Sequence, residues 1–170
     1  MRSFIAFDLP ENIIQSCMDL QNQWKKEGIG GRYTPRENLH LTIAFCGDLD
    51  DEQIEQIRDI FSTFCFEKIK CRTSSLVRFG NVVALGLEEN QELISVVHAL
   101  RNRLSQAGIP FDGRAFKAHI TLLRKPVLPE HVSIFAGDSL LFELFRIVLY
   151  SSTLHSKGPH YTPLATVCAS

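Results

Sequence analysis

Apolar positions change their period repeatedly along the chain of 170 residues, and each period predicts an element. Phe4-Ile5-Ala6-Phe7 marks a first strand over residues 2 to 8. Ile13, Cys17, Leu20 and Trp24 then recur at spacings of 4, 3 and 4, a helical stripe that Pro10 opens and Gly28 closes. The glycine cluster Gly28 to Gly31 predicts a loop toward Tyr33-Thr34-Pro35, and it matches neither a phosphate loop nor the dinucleotide fingerprint. Alternation returns at His40 to Phe45, a second strand. Beyond Gly47, Asp50-x-x-Gln53 reads as a capping box opening a helix striped with Ile54, Ile57, Phe61 and Phe64, whose aromatics belong to the core. Residues 68 to 79 and 81 to 87, rich in Val, Leu, Phe and Thr, flank Gly80-Asn81 as a hairpin.

A third helix runs from about Gln91 to Gln106 on Leu93, Val97, Leu100 and Leu104 and closes at Gly108; His98 lies beside its stripe, where a structural role is the simpler reading. The loop Phe111-Asp112-Gly113-Arg114 leads into a strand at His119, after which Pro126 and Pro129 punctuate a short segment containing His131. Strands over 140 to 150 and 161 to 168 follow, joined by the polar stretch Ser151 to Pro159. Hairpins mixed with helices predict an α+β fold rather than a wound parallel sheet, and the length fits one domain or two small lobes sharing a core.

Composition adds mainly exclusions. With 45% hydrophobic and 22% charged residues the chain is ordinary for a globular protein, and a net charge of -1 argues against indiscriminate coating of nucleic acid. Locally, residues 101 to 125 hold Arg101, Arg103, Arg114, Lys117, Arg124 and Lys125 against the single acid Asp112, a surplus beside His119 able to draw in a phosphate. For Arg101 and Arg103, on the third helix, a solvated basic face is an equal reading. Cys17, Cys46, Cys65, Cys71 and Cys168 are odd in number and lack a Cys-x-x-Cys, which predicts buried thiols in a reducing compartment rather than disulfides or a zinc knuckle. The apolar run near Met1 is too short for a signal peptide and none is long enough to span a membrane, so the expectation is a cytoplasmic protein.

One pattern carries chemistry. His40-Leu41-Thr42-Ile43 recurs 79 positions later as His119-Ile120-Thr121-Leu122. Side chains two apart in a strand share a face, so each copy offers an imidazole and a hydroxyl on one side and apolar residues to a core on the other. A third triplet, His160-Tyr161-Thr162, lies between Gly158-Pro159 and Pro163, which fits a turn or a strand edge, and it is read as incidental.

Two facing imidazoles suit metal-free cleavage of a phosphodiester, where water attacks phosphorus on one side and the leaving oxygen departs in line on the other. With an ordinary pKa of about 6.5, one histidine can act as base and the other as acid near neutral pH. Thr42 and Thr121 would hold non-bridging oxygens, and Arg124 could clamp the phosphate. Its offset of five from His119 is odd, so a regular strand would aim it at the opposite face; a bulge, twist or strand end after Leu122 is required. Zinc held by His40 and His119 and a structural role for both remain alternatives, although no Gly-x-Ser-x-Gly, no His-Glu-x-x-His and no acidic cluster accompanies them.

The chain resembles the two-histidine (2H) phosphoesterases, and among them the LigT-type RNA 2′,3′-cyclic phosphodiesterases, along nearly its whole length. The matching residues are Arg2-x-Phe4-Ile5-Ala6-Phe7-Asp8-Leu9-Pro10, Pro35-x-Glu37-Asn38-Leu39-His40-Leu41-Thr42 with Phe45-x-Gly47, Arg114-x-Phe116-x-x-His119-Ile120-Thr121-Leu122-x-Arg124, and Leu149-Tyr150-Ser151-Ser152 with Gly158-x-x-Tyr161. The resemblance implies a single bilobal domain over residues 1 to 170, with two antiparallel sheets flanked by helices and related by a pseudo-two-fold axis around a central cleft. It implies opening of 2′,3′-cyclic phosphates at RNA ends to a 2′-phosphate, with no metal or other cofactor, and in some members joining of RNA through a 2′,5′ linkage. Carried over, His40 is the acid toward the 3′ oxygen and His119 the base for water, with Thr42, Thr121 and Arg124 as phosphate contacts; the expected state is a monomer. Tyr33, Cys46 and Ala118 depart from the family's usual Trp, Leu and Pro, which bears on base stacking and on the start of the His119 strand. Two rival readings use the same cleft: a small-molecule esterase for cyclic nucleotides or cyclic ADP-ribose phosphate, and a non-catalytic module that binds RNA ends.

Overall fold

Nine strands and three helices follow in the order β1 (Arg2–Asp8), α1 (Glu11–Lys26), β2 (Gly30–Tyr33), β3 (His40–Asp48), α2 (Asp51–Thr63), β4 (Ile69–Phe79), β5 (Val82–Leu87), α3 (Gln91–Gln106), β6 (His119–Val127), β7 (Leu141–Leu144), β8 (Arg146–His155) and β9 (Gly158–Cys168). The computed structural model describes every residue from Met1 to Ser170. The strands form two sheets, β3-β1-β8-β9 and β2-β6-β5-β4-β7, paired antiparallel throughout. This is the α+β architecture that the mixed order of elements predicts.

Helix ends follow the sequence closely. Asp50 accepts from the Gln53 amide at 2.8 Å while the Gln53 side chain accepts from the Asp50 amide at 2.9 Å, a complete capping box on α2. Asn90 caps α3 by accepting from the Leu93 amide at 3.0 Å. The apolar stripes of all three helices point into one continuous core that takes Ile5, Phe7, Leu41 and Ile43 from the first sheet and Val83, Leu85, Ile120 and Leu122 from the second. Helices serve the sheets crosswise: α1 packs on β6, α3 on β3, and the two motif strands β3 and β6 touch each other.

Several boundaries differ from those the sequence predicts. Gly30 to Tyr33 is a strand, β2, laid on the outer edge of β6, because glycine at 31 removes the side chain that would keep the backbones apart. The stretch over 140 to 150 is two strands that change sheet at Phe145: β7 pairs with β4 and β8 with β1. Ser151 to Pro159 is no loop, since β8 and β9 continue as a ladder to His155 and Gly158; its polarity reflects a hairpin end exposed to solvent. β9 is the edge strand of its sheet, as the prolines around His160-Tyr161-Thr162 suggest. The cysteines are all free, but only Cys17, Cys46 and Cys71 are buried, with thiol pKa values pushed up by burial to about 12, 12 and 11; Cys65 and Cys168 are exposed. No helix is long and apolar enough to cross a membrane.

Candidate active site

Each His-x-Thr copy begins its own strand, β3 or β6, with the polar pair half-buried on one face and the intervening residues buried on the other. Both strands then break alternation in the same place. In β3 the partner of Ala6 is Thr42 but that of Ile5 is Ala44, so Ile43 is an extra residue; in β6 Ala84 faces Thr121 but Val83 faces Leu123, so Leu122 is extra. These are β-bulges, and they reset the phase of the downstream residues in each strand. Leu122 and Leu123 are both buried, and Arg124 emerges exposed on the face of His119 and Thr121. The odd offset of Arg124 is thereby resolved. Its counterpart five residues after His40 is Phe45, which is 53% exposed.

At each bulge the extra residue's carbonyl accepts from a helix side chain in the other half of the chain, the Leu122 carbonyl accepting also from the Thr34 amide at 3.0 Å. Arg101 of α3 donates Nε–H to the Ile43 carbonyl at 3.0 Å. Gln21 of α1, fully buried, donates to the Leu122 carbonyl at 2.9 Å and to the Thr34 carbonyl at 3.0 Å. Neither contact was foreseen from the sequence, although a glutamine four residues past Cys17 on an apolar stripe is a visible anomaly.

The imidazoles are held alike. His40 Nδ1 is 2.6 Å from the Asn38 carbonyl and His119 Nδ1 is 2.6 Å from the Lys117 carbonyl. A carbonyl only accepts, so Nδ1 carries the proton in both rings and Nε2 is left for chemistry. His40 Nε2 lies 2.9 Å from the Thr42 hydroxyl, which can donate to a neutral ring or accept from a protonated one. Rings pack around each: Phe4 at 5.0 Å and the edge of Tyr161 at 5.6 Å for His40, Phe79 at 4.9 Å for His119. Burial pushes the His40 pKa below its ordinary value, the Asn38 carbonyl opposes this, the charges of His119 and Arg124 add to the lowering, and Asp8 opposes it again. His119 and Arg124 thus lie within electrostatic reach of His40.

Behind His40 stands a second layer. Asp8 is its cross-strand partner in β1, accepts a hydrogen bond from the Tyr150 hydroxyl and lies 3.8 Å from Arg146 Nη1. Burial and this carboxylate push the Tyr150 pKa well up. A surface hollow of about 470 Å³ lined by Asp8, Arg36, Glu37, Arg146 and Tyr150 opens on that side; neither histidine lines it, so it is not the cleft. In the sequence, Asp8 and Tyr150 stand out only as positions of the family resemblance.

Three of the six basic residues between 101 and 125 are committed elsewhere. Arg101 also donates to the Arg114 carbonyl, Arg103 to the Thr63 hydroxyl, and Arg114 pairs with Asp112 at 2.6 Å. No three His, Cys, Asp or Glu side chains converge as metal ligands. The departures also find their places: Tyr33 faces the core beside Leu123 and donates to the Ile29 carbonyl, so it does not line the cleft; Cys46 is buried; Ala118 keeps its carbonyl bonded to the Leu87 amide.

Comparison with known proteins reflects the same division of the chain into two halves. The sequence model of the family described as LigT like phosphoesterase matches twice in succession, over residues 7–83 and 85–161, one match around each motif. The RNA 2′,3′-cyclic phosphodiesterase of Methanocaldococcus jannaschii is 31% identical, over 95% of this chain and 96% of that protein. The protein of the same name from Thermotoga maritima is 30% identical, over 96% of this chain and 93% of its own length. The crystal structure of Escherichia coli LigT complexed with 3′-AMP superposes with a TM-score of 0.84 at 25% identity, covering 99% of this chain and 98% of that one.

Proposed function

Since the chain belongs to the LigT-like phosphoesterase family, we propose that it is an RNA 2′,3′-cyclic phosphodiesterase, opening the cyclic phosphate at an RNA end to a 2′-phosphate. The single observation that supports the mechanism is that both imidazoles, at the starts of two strands that touch, are pinned through Nδ1, which leaves both Nε2 atoms for proton transfer. His119 takes a proton from water as its oxygen attacks phosphorus; the P–O3′ bond breaks, and His40 delivers its proton to the departing O3′. Thr42, Thr121 and Arg124 hold the non-bridging oxygens, whose charge grows most in the transition state. Without substrate, burial favours neutral His40; a phosphodiester anion beside the ring acts in the opposite direction and favours the protonated form that an acid needs. Tyr161, partly exposed beside His40, and Phe45, exposed five residues further along β3, provide apolar surface suited to a nucleoside. A cytoplasmic monomer belongs to the same reading: five cysteines without a Cys-x-x-Cys suit a reducing compartment, and one chain carries both histidine motifs.

Phosphorus NMR of a 2′,3′-cyclic-ended RNA, run in excess chelator, tests the reading. The expected result is loss of the cyclic resonance to a 2′-phosphomonoester at an undiminished rate. A 3′-phosphate product contradicts the bond assignment, activity restored only by added metal supports a zinc site, and no turnover leaves a binding module.

A further inference from the structure

Arg124 has a neighbour with no task assigned. Arg32 in β2 is its cross-strand partner, so both side chains leave the same face of the sheet, that of His119 and Thr121. Like charges directly opposite on antiparallel strands repel, and the backbone enforces the pairing here. Gly31 has φ 130, and a Cβ at that position would lie 2.8 Å from Leu123 Cδ1 and 2.9 Å from the Arg124 carbonyl. Only glycine allows β2 to come this close to β6. None of the five ion pairs includes Arg32 or Arg124, and both are exposed. The arrangement has no equivalent across the cleft: β3 is an edge strand with no outer neighbour, and its fifth position pairs Phe45 with Phe4. This pair of arginines outside any ion pair stands beside His119 alone, delivered by a strand that has no counterpart on β3.

Resting on the function proposed above, we infer that Arg32 and Arg124 form a second anion subsite, which takes the phosphodiester on the 5′ side of the terminal nucleoside while the cyclic phosphate lies between the histidines. Neighbouring strands are about 4.8 Å apart, so two extended guanidinium forks can grip successive phosphates of one strand, with Arg124 bridging the two positions. The subsite makes the enzyme read a polynucleotide end rather than a lone cyclic nucleoside phosphate.

The smallest test compares adenosine 2′,3′-cyclic phosphate with and without a 5′-phosphate. Wild-type KM is expected to be about tenfold lower with the 5′-phosphate, at similar kcat, and the ratio to shrink as salt is raised. Arg32→Gln should bring the ratio most of the way to one, and Arg32→Lys should fall between, since it keeps the charge and loses the fork. A wild-type ratio near one, or an undiminished ratio in Arg32→Gln, overturns the inference. Calorimetric affinities for adenosine 2′-phosphate and adenosine 2′,5′-bisphosphate read the same preference without turnover. They decide the inference even where neither cyclic substrate is hydrolysed, the result that would overturn the proposed function itself.

Discussion

In the proposed mechanism His40 joins catalysis to stability through one proton. Its pKa is lowered in the folded protein, first by burial, so the folded state keeps the ring neutral where the unfolded chain, near pKa 6.5, protonates it. The unfolded state therefore binds the extra proton, and the stability that His40 contributes is intact above about pH 6.5 and is lost as pH falls toward the folded pKa. Thermal melts between pH 7.5 and 5 should show wild type losing more Tm than His40→Gln, and phosphate should reduce the loss by returning the proton's counter-charge. Parallel slopes for the two proteins would mean that His40 is not held neutral. At Arg124 the expectation concerns shape as much as charge: Arg124→Lys should raise KM and lower kcat, and Arg124→Ala should do both more severely, with the melt unchanged. Unaltered steady-state kinetics in both would return Arg124 to the solvated surface. Thr42→Val and Thr121→Val should be milder than loss of either histidine, as measured by kcat.

At the scale of elements, the two bulges set the site. Without the extra residue at Leu122, Arg124 would point into the core, and the odd offset in the sequence announces that something must intervene there. The sequence also shows where the motif strands start, how α2 is capped and which stripes face the core, because these depend on neighbours a few positions away. It hides β2, the sheet change at Phe145 and the long β8–β9 ladder, which depend on partners distant in the chain. Gln21 lies between these cases: its place on an apolar stripe is legible, but its acceptors at Thr34 and Leu122 are not. Gln21→Leu leaves the Thr34 carbonyl without that donor and the bulge at Leu122 held by the Thr34 amide alone. It should cost about 1–3 kcal/mol in denaturant melts, with kcat falling because Thr121 and Arg124 lose their support. A variant as stable and as active as wild type would show that the bulge holds itself.

Across the whole molecule, the crosswise helices make the halves interdependent. Gln21 of the first half supports the strand of His119, and Arg101 of the second supports the strand of His40. Such exchange is what the proposed mechanism requires, in which the two sheets face each other across one phosphorus atom. The most direct test of that claim is the turnover of a 2′,3′-cyclic-ended RNA by His40→Ala, His119→Ala and the double variant, with folding checked by melts. Each single substitution should cost at least about 100-fold in kcat, and the double variant should be little worse than either, because an acid and a base sharing one concerted step cannot be lost twice. Losses that multiply in the double variant, or near-normal turnover in either single one, would contradict the opposed pair.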